Sequence, residues 1–309
     1  MINRELIRLK VVQLVYSNYK NPGKTLEKAV EELSFSLAQS YDLYHYLLLL
    51  IPEITDFGRE LYESSYSRMK SLGESETPNP RFINNRFAAQ LAANSQLNKF
   101  ADKKGTHHWQ EEEGELRALF KIISSSEIYA DYMNSEEDSY EADKAFWKKV
   151  YKKYICENES IESCLEEWSI YWNDDKYIID TFVLKTISHF KETNGADQPL
   201  LAAYDKAEDW EFAQNLFKSA LLNKAEYEKL IAANTHNWTL ERLPVIDVVI
   251  MVTALAEIIN FPQIGLSITF NEYINLIKAY STPQNASYVN GLLDNIVKKL
   301  TKENKLIKQ

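Results

Sequence analysis

Few residues of this sequence are spaced for catalysis or for metal binding. His107 and His108 adjoin beside Trp109, but consecutive side chains on a helix diverge by about 100° and make a poor pair of metal ligands. Cys156 and Cys164 lie eight residues apart without a CxxC spacing, which favours two reduced, packed thiols over a disulfide or a metal site. The sequence also has no glycine-rich phosphate-binding loop. We therefore predict that the protein is not an enzyme and that it holds no metal or cofactor.

Basic residues near both ends of the chain could instead contact phosphate groups. The first 20 residues carry four Lys or Arg against one Glu, and the C-terminal tail carries Lys298, Lys299, Lys302, Lys305 and Lys308 against Glu303. The net charge of −10 arises in the middle, where residues 52–208 hold 19 basic and 30 acidic side chains. Overall acidity argues against nonspecific nucleic-acid binding but leaves room for a local site. Alternatively, the tail lysines simply complement the dipole of a solvated helix end.

Helices must position these residues, because the sequence is poor in turn-forming residues and rich in helical periodicity. It contains only 8 Gly and 8 Pro in 309 residues, which disfavours a turn-rich β architecture. From Leu26 to Ile51, apolar residues recur every three or four positions, and similar stripes cover residues 161–172 and 179–190. Pro52 should kink or end the first of these helices. We predict an all-α fold.

Two segments bear on targeting and on domain organisation. The N-terminus lacks the apolar run and cleavage site of a signal peptide, and the most apolar run, residues 46–51, is too short to span a bilayer. We therefore expect a cytoplasmic protein that does not bind membranes. Residues 73–80 (GESETPNP) are typical of an exposed loop and could mark a boundary.

The first predicted helix is apolar on two opposite faces. Ile7, Val11 and Leu14 share one face, and Leu9, Val12 and Tyr16 lie nearly opposite. Arg4 and Arg8 form one polar ridge between these faces, and Lys10, Gln13 and Ser17 form the other. Such a helix should be packed between two neighbours, with its basic groups emerging at the edges. The alternative is a core helix whose arginines cap or snorkel.

The C-terminal third contains two predicted helix starts. Thr269 and Glu272 have the spacing of a capping box, which predicts a helix from Phe270 towards Tyr280. Thr282 and Pro283 suit the N-cap and first position of the last helix. That helix should bury Tyr288, Leu292, Ile296 and Leu300. Gly291 lies inside it at a cost of about 1 kcal/mol relative to Ala, which suggests that another backbone or a ligand comes close.

In their order and spacing, several short motifs resemble the bacterial transcription antitermination factor NusB. The C-terminal ones are Trp238-x3-Arg242-x4-Asp247, Asn271-Glu272-x5-Lys278 and Tyr288-Val-Asn-Gly-x-Leu-Asp, where the family usually has N-E-A and F-V-N-G. Residues 212–217 (FAQNLF) resemble the helix that precedes the tryptophan, and Arg8-x4-Gln13-x2-Tyr16 resembles the arginine-bearing first helix. The resemblance covers residues 1–20 and 209–300.

The resemblance implies a NusB-like helical bundle with an additional helical insertion. Residues 1–51 would form the N-terminal part of the bundle, 52–208 the acidic insertion, and 209–309 the C-terminal core and basic tail. Such a protein would bind boxA-type RNA together with NusE, a small-subunit ribosomal protein, and act on the transcription elongation complex. The RNA-binding candidates carried over are Arg4, Arg8, Lys10, Gln13 and Tyr288. The partner-binding candidates are Glu241, Arg242, Asp247 and Gln284.

Physical chemistry allows these roles and also allows alternatives to them. Basic groups on the first helix could contact phosphates, and Tyr288 could stack on an unpaired base. Tyr288 could equally be a core aromatic, and Asp247 a satisfied carboxylate at a helix end.

The sequence also departs from the family pattern. Glu5 and Leu6 replace arginines of the first helix, Val248 and Val252 replace basic residues, and Gln284 replaces an acidic one. Each lost basic contact weakens the salt-dependent part of RNA binding. A protein-only adaptor that kept the fold and lost RNA binding is therefore the second hypothesis. An RNA-modifying enzyme is the third, because a similar helical module precedes a Rossmann-like domain in some ribosomal-RNA methyltransferases.

Overall fold

The structure is a computed structural model that describes residues 1–73, 77–105, 108–204, 206–235 and 242–306. Over these residues the chain is built from helices and contains no strand, so the all-α prediction is confirmed. Four of the residues named above lie outside the described residues: His107, Trp238, Glu241 and Lys308.

The chain forms two compact units, and the second combines an N-terminal and a C-terminal segment of the sequence. The first unit consists of Met1 and residues 39–202, and the second of residues 2–38 and 203–309. This division differs from the predicted boundaries after residues 51 and 208. Helix α2 (Leu26–Ser71) continues through Pro52, so Pro52 does not end it, and the division falls inside this helix.

The second unit is a bundle around one almost wholly apolar helix. Besides the start of α2, its helices are α1 (Arg4–Lys20), α11 (Ala207–Leu222), α12 (Lys224–Ala232), α13 (Val245–Asn260), α14 (Leu266–Tyr280) and α15 (Pro283–Lys302). Residues 247–258 of α13 are all buried, which is typical of a helix covered on every side. Helices α1, α11, α12, α14 and α15 all pack on α13. As predicted, α1 lies between neighbours, here α11, α13 and α14.

Shorter helices make up the first unit, together with the rest of α2. They are α3 (Arg86–Ala92), α4 (Ser95–Lys104), α5 (His108–Glu111), α6 (Glu113–Ser124), α7 (Glu127–Asn134), α8 (Tyr140–Val150), α9 (Glu159–Trp168) and α10 (Lys176–His189). A π-helical turn, Tyr151–Ile155, follows α8, and a 3₁₀ segment, Glu192–Asp197, follows α10. Aromatic side chains such as Trp147, Tyr151, Phe82 and Phe87 fill the core.

A glycine on α2 allows close packing in the first unit. At Gly58, an added Cβ would lie 2.6 Å from a ring atom of Phe82 and 2.8 Å from one of Phe120. Both distances are shorter than any ordinary van der Waals contact, so these two rings occupy the space that a larger residue would need. Gly58 therefore has a packing role that its position in a helix would not suggest.

One of the two predicted C-terminal helix starts is wrong and the other is confirmed. Helix α14 begins at Leu266, four residues before the predicted start, and the hydroxyl of Thr269 donates to the Glu257 carboxylate instead of capping the helix. Helix α15 begins at Pro283, and the Thr282 hydroxyl accepts a hydrogen bond from the Asn285 amide as expected.

Candidate functional site

The Arg8 guanidinium, one of the RNA-binding candidates, is buried against a carboxylate. Arg8 is only 3% exposed, and its Nε and Nη2 donate to the two carboxylate oxygens of Glu257 on α13, at 2.7 and 3.0 Å. A third nitrogen, Nη1, lies 3.5 Å from the Glu272 carboxylate. Such a two-point pairing between guanidinium and carboxylate is the strongest form of this interaction.

Two hydroxyl groups also donate hydrogen bonds to Glu257. Thr269 donates to Oε1 at 2.8 Å, and Tyr273 donates to Oε2 at 3.1 Å. Burial alone would lower the pKa of Arg8, but the hydrogen bonds and charge of Glu257 outweigh it and the pKa is raised. Burial, reinforced by Glu257, also raises the pKa of Tyr273. Both groups therefore keep their protons at any ordinary pH.

Arg4 and Arg8 were predicted to form a polar ridge whose basic groups emerge at the edge of α1. This prediction is wrong for Arg8, because Glu257 binds its guanidinium inside the bundle. Lys10 on the other predicted ridge is also fully buried. In this conformation neither side chain presents its charge to a phosphate. Arg4, one turn before Arg8, is more accessible: its side chain is 38% exposed, its Nε lies 3.6 Å from Asp209, and its guanidinium lies over the Phe212 ring.

Gln13 lies on an accessible edge of α1 and connects it to α14. Its Nε2 donates to the hydroxyl of Tyr280, the last residue of α14, at 3.1 Å. Tyr16 and Ser17 follow on the same edge and are half-buried, and Lys20 is exposed at its end. The Lys20 ammonium lies 5.6 Å from the centre of the Tyr16 ring.

Asp247 is tied to the junction between α14 and α15. Its Oδ2 accepts from the Asn285 side chain at 2.8 Å, and the same amide nitrogen donates to the Ser281 hydroxyl at 2.9 Å. The other carboxylate oxygen, Oδ1, is buried and has no hydrogen-bond partner among the residues that the structure describes. Burial raises the pKa of Asp247, while hydrogen bonds from Ser281 and Asn285 oppose the rise. Asp247 is therefore a buried carboxylate whose hydrogen-bonding capacity is only partly used.

One face of α15 is open to solvent, contrary to two predictions. Tyr288 was expected in the core and is 36% exposed. Gly291 was expected to lie close to another backbone or to a ligand, yet outside its own helix backbone no atom of the described residues lies within 4 Å of the position of its missing Cβ. Gln284 shares this exposed face, while Leu292, Ile296 and Leu300 are buried as predicted. The helix thus carries an unshielded glycine, one turn from an accessible aromatic ring, for no packing reason.

These contacts bring part of the predicted site together. We call Gln13, Tyr280, Ser281, Gln284, Asn285 and Tyr288, with Asp247 beneath them, the junction surface. Asp247 and Glu257 lie ten residues apart on α13, about 15 Å along the helix axis, so Arg8 belongs to a separate cluster. Among the partner-binding candidates, Arg242 is exposed just before α13, and Glu241 lies outside the described residues. Tyr280, Ser281 and Asn285 could not be predicted as part of this surface, because they have no charge or motif of their own.

The fold and these motifs define a helical bundle of the kind found in antitermination factors, and comparisons identify the family. The chain belongs to the NusB family, whose model matches residues 181–298. It is 30% identical over 132 residues to the transcription antitermination protein NusB of Salinibacter ruber. The aligned residues cover 41% of this chain and 82% of that protein. It is 36% identical over 95 residues to NusB of Dictyoglomus turgidum, covering 31% of this chain and 66% of the relative.

A third relative, NusB of Koribacter versatilis, is 32% identical over 94 residues, or 30% of this chain and 64% of the relative. No solved structure matches the chain.

None of the helices in the described part of the chain is long and apolar enough to cross a membrane. Among the described residues, no group of three or more His, Cys, Asp or Glu side chains could hold a metal ion.

Proposed function

We propose that this protein is an RNA-binding transcription antitermination factor that acts on ribosomal RNA transcription together with the NusE ribosomal protein. Its relatives are named as transcription antitermination proteins. The observation that carries the proposal is the exposed face of α15, where Tyr288 is accessible and Gly291 leaves the helix backbone uncovered. An aromatic ring beside open backbone suits the stacking of an unpaired base and the close approach of its sugar and phosphate.

The distribution of charge supports this placement of the RNA. Within the bounds of the two units, the first carries 18 basic and 29 acidic residues, whereas the second carries 17 and 16. The nearly neutral second unit is the one that contains the junction surface. We therefore assign RNA contacts to Gln13, Tyr288 and the exposed Lys20, with Arg4 as a further phosphate contact. Arg242, Glu241, Asp247 and Gln284 remain the candidates for the NusE partner.

An anisotropy titration of the full-length chain with labelled boxA-type RNA tests the proposal. Tyr288→Ala should lose about 1–3 kcal/mol of binding free energy if the ring stacks on a base. Phe35→Ala is the matched control, because Phe35 is a 51% exposed aromatic residue elsewhere in the same unit. Equal affinities for wild type and both variants would contradict the assignment to α15.

Salt dependence separates phosphate contacts from stacking. Lys20→Glu should reduce the slope of log affinity against log salt by about 0.7 for the single-strand contact it removes. Lys28→Glu, an equivalent change at an exposed lysine on α2, should leave the slope unchanged.

The burial of Arg8 and Lys10 favours one alternative, a protein-only adaptor. Two of the basic candidates on α1 are withdrawn from solvent, which removes charge that a phosphate backbone would need. This alternative predicts binding to NusE without measurable affinity for boxA-type RNA, whether or not NusE is present. The same titration, repeated with and without NusE, therefore decides between the two functions.

A further inference from the structure

The last three turns of α2 extend beyond the core of the first unit. Ile54, Phe57 and Gly58 are still buried, but every residue from 60 to 71 is exposed or only half-buried. This segment is about 18 Å long. Three turns of helix gain little stability from their backbone hydrogen bonds alone in water. The contribution of this segment must therefore come from its exposed side chains.

Five apolar side chains form a stripe along this segment. They are Leu61, Tyr62, Tyr66 and Met69, together with Leu72, the residue just after the helix, whose amide still donates to the Arg68 carbonyl. At helical spacing the five fall within an arc of about 140°. Leu61 is 41% exposed and Leu72 is 63% exposed, and the rings of Tyr62 and Tyr66 stack with centres 6.2 Å apart. Single exposed apolar residues are ordinary, but a periodic stripe at helical spacing marks a docking face.

Two opposite charges lie along one edge of this stripe. Glu63 and Lys70 are seven residues apart and therefore project from nearly the same side of the helix, next to Tyr66. Neither makes an ion pair with any residue that the structure describes. In paired helices, charges flanking the apolar seam decide the partner and its direction.

We propose that this stripe packs against the same stripe of a second copy of the chain, with the two helices antiparallel. A twofold axis midway between Tyr66 and Ser67 places Leu61 against the partner's Leu72. The same axis places Glu63 opposite the partner's Lys70, and the symmetric contact repeats both pairs. One register thus satisfies the apolar and the charged residues together, and the small side chain of Ser65, which lies within the arc of the stripe, allows the helices to approach near the axis.

The size of the segment sets the strength of this contact. Three turns of helix offer less than the roughly 800 Å² per partner that a stable standard interface buries. The dimer should therefore form and dissociate with protein concentration, and its ion pairs should weaken with added salt.

Sedimentation velocity of the full chain over a wide concentration range at low salt tests the proposal. The wild type should shift from monomer towards dimer as concentration rises. Glu63→Lys and Lys70→Glu each turn two attractions into two repulsions, so each should weaken dimerisation by about tenfold. The double variant Glu63→Lys/Lys70→Glu restores opposite charges across the axis and should recover wild-type association.

Controls make each outcome decisive. Glu60→Lys has the same charge change on the side of the helix away from the stripe and should leave association unchanged. Leu72→Asp places a carboxylate in the stripe and should abolish the dimer, with circular dichroism showing that the chain stays folded. A chain that is monomeric at all concentrations overturns the proposal and assigns the stripe to the groove of another protein. A dimer that the double variant fails to restore overturns the antiparallel register.

Discussion

Replacing Arg8 by methionine should destabilise the second unit strongly. The substitution removes the guanidinium that occupies both oxygens of Glu257, a carboxylate with no solvent exposure. Thr269 and Tyr273 still donate to that carboxylate, but the cation that bound it at two points is lost. Breaking a buried ion pair from one side costs about 3–5 kcal/mol, so Arg8→Met should lower the free energy of unfolding by that amount.

Urea unfolding followed by circular dichroism measures this loss. Arg4→Met is the matched control, because Arg4 lies on the same helix, is 38% exposed and makes a longer, 3.6 Å ion pair. It should lose less than about 1 kcal/mol. The double variant Arg8→Met/Glu257→Gln removes both charges and keeps an acceptor for Thr269 and Tyr273, so it should recover much of the loss.

RNA binding of the same variants gives the refuting result. Suppose that Arg8→Met has the same free energy of unfolding as Arg4→Met, but that its affinity for boxA-type RNA and the salt dependence of that affinity both fall. Then Arg8 contacts phosphate. The buried pair with Glu257 would then not describe the protein in solution.

Three other substitutions test the packing and electrostatics of particular residues. Gly58→Ala should cost about 1–2 kcal/mol in a urea melt, because crowding against Phe82 and Phe120 exceeds the gain in helix propensity. Gly291→Ala should instead raise the free energy of unfolding by about 0.5–1 kcal/mol, since the new Cβ would have open space around it. If this stabilised variant binds RNA more weakly, the RNA strand lies against the α15 backbone. Because burial raises the pKa of Asp247, the folded protein holds that proton more tightly than the unfolded chain. Stability should therefore fall as pH rises from the usual aspartate range through the raised pKa, and Asp247→Asn should remove that part of the pH dependence in melts at pH 3 to 7.

The helices could be predicted from the sequence because apolar periodicity is a local property. The stripe from Leu26 to Ile51 predicted α2, and Thr282 with Pro283 predicted the start of α15. Pro52 misled because a proline inside a helix costs a few kcal/mol that packing of the flanking turns can offset. Its neighbours Ile51 and Ile54 are fully buried, so here the packing prevails.

The candidate site was harder to predict, because its contacts join residues that are distant in the sequence. Thr269 has a capping-box spacing, but its hydroxyl donates to Glu257, and no local pattern reveals that carboxylate. The partner of Arg8 is likewise 249 residues away. Tyr288 was expected either in the core or as a base-stacking residue, and Gly291 was expected close to another backbone or a ligand. The positions of α12, α13 and α14, which all pack against α15, decide which face of α15 remains open.

The pairing of Arg8 with Glu257 also has a consequence in time. The ribosome adds roughly 5–20 residues per second, so Glu257 is made roughly 12–50 seconds after Arg8. During that interval α1 has no α13 to cover its two apolar faces, whereas the whole first unit, ending at residue 202, has already been synthesised. The hydrogen bond from the Ile2 amide to the Ala203 carbonyl joins residues that are also far apart in the sequence, but Ala203 is made before α13. The second unit must therefore complete its folding last, and a chain that stops before α13 would expose α1 to aggregation.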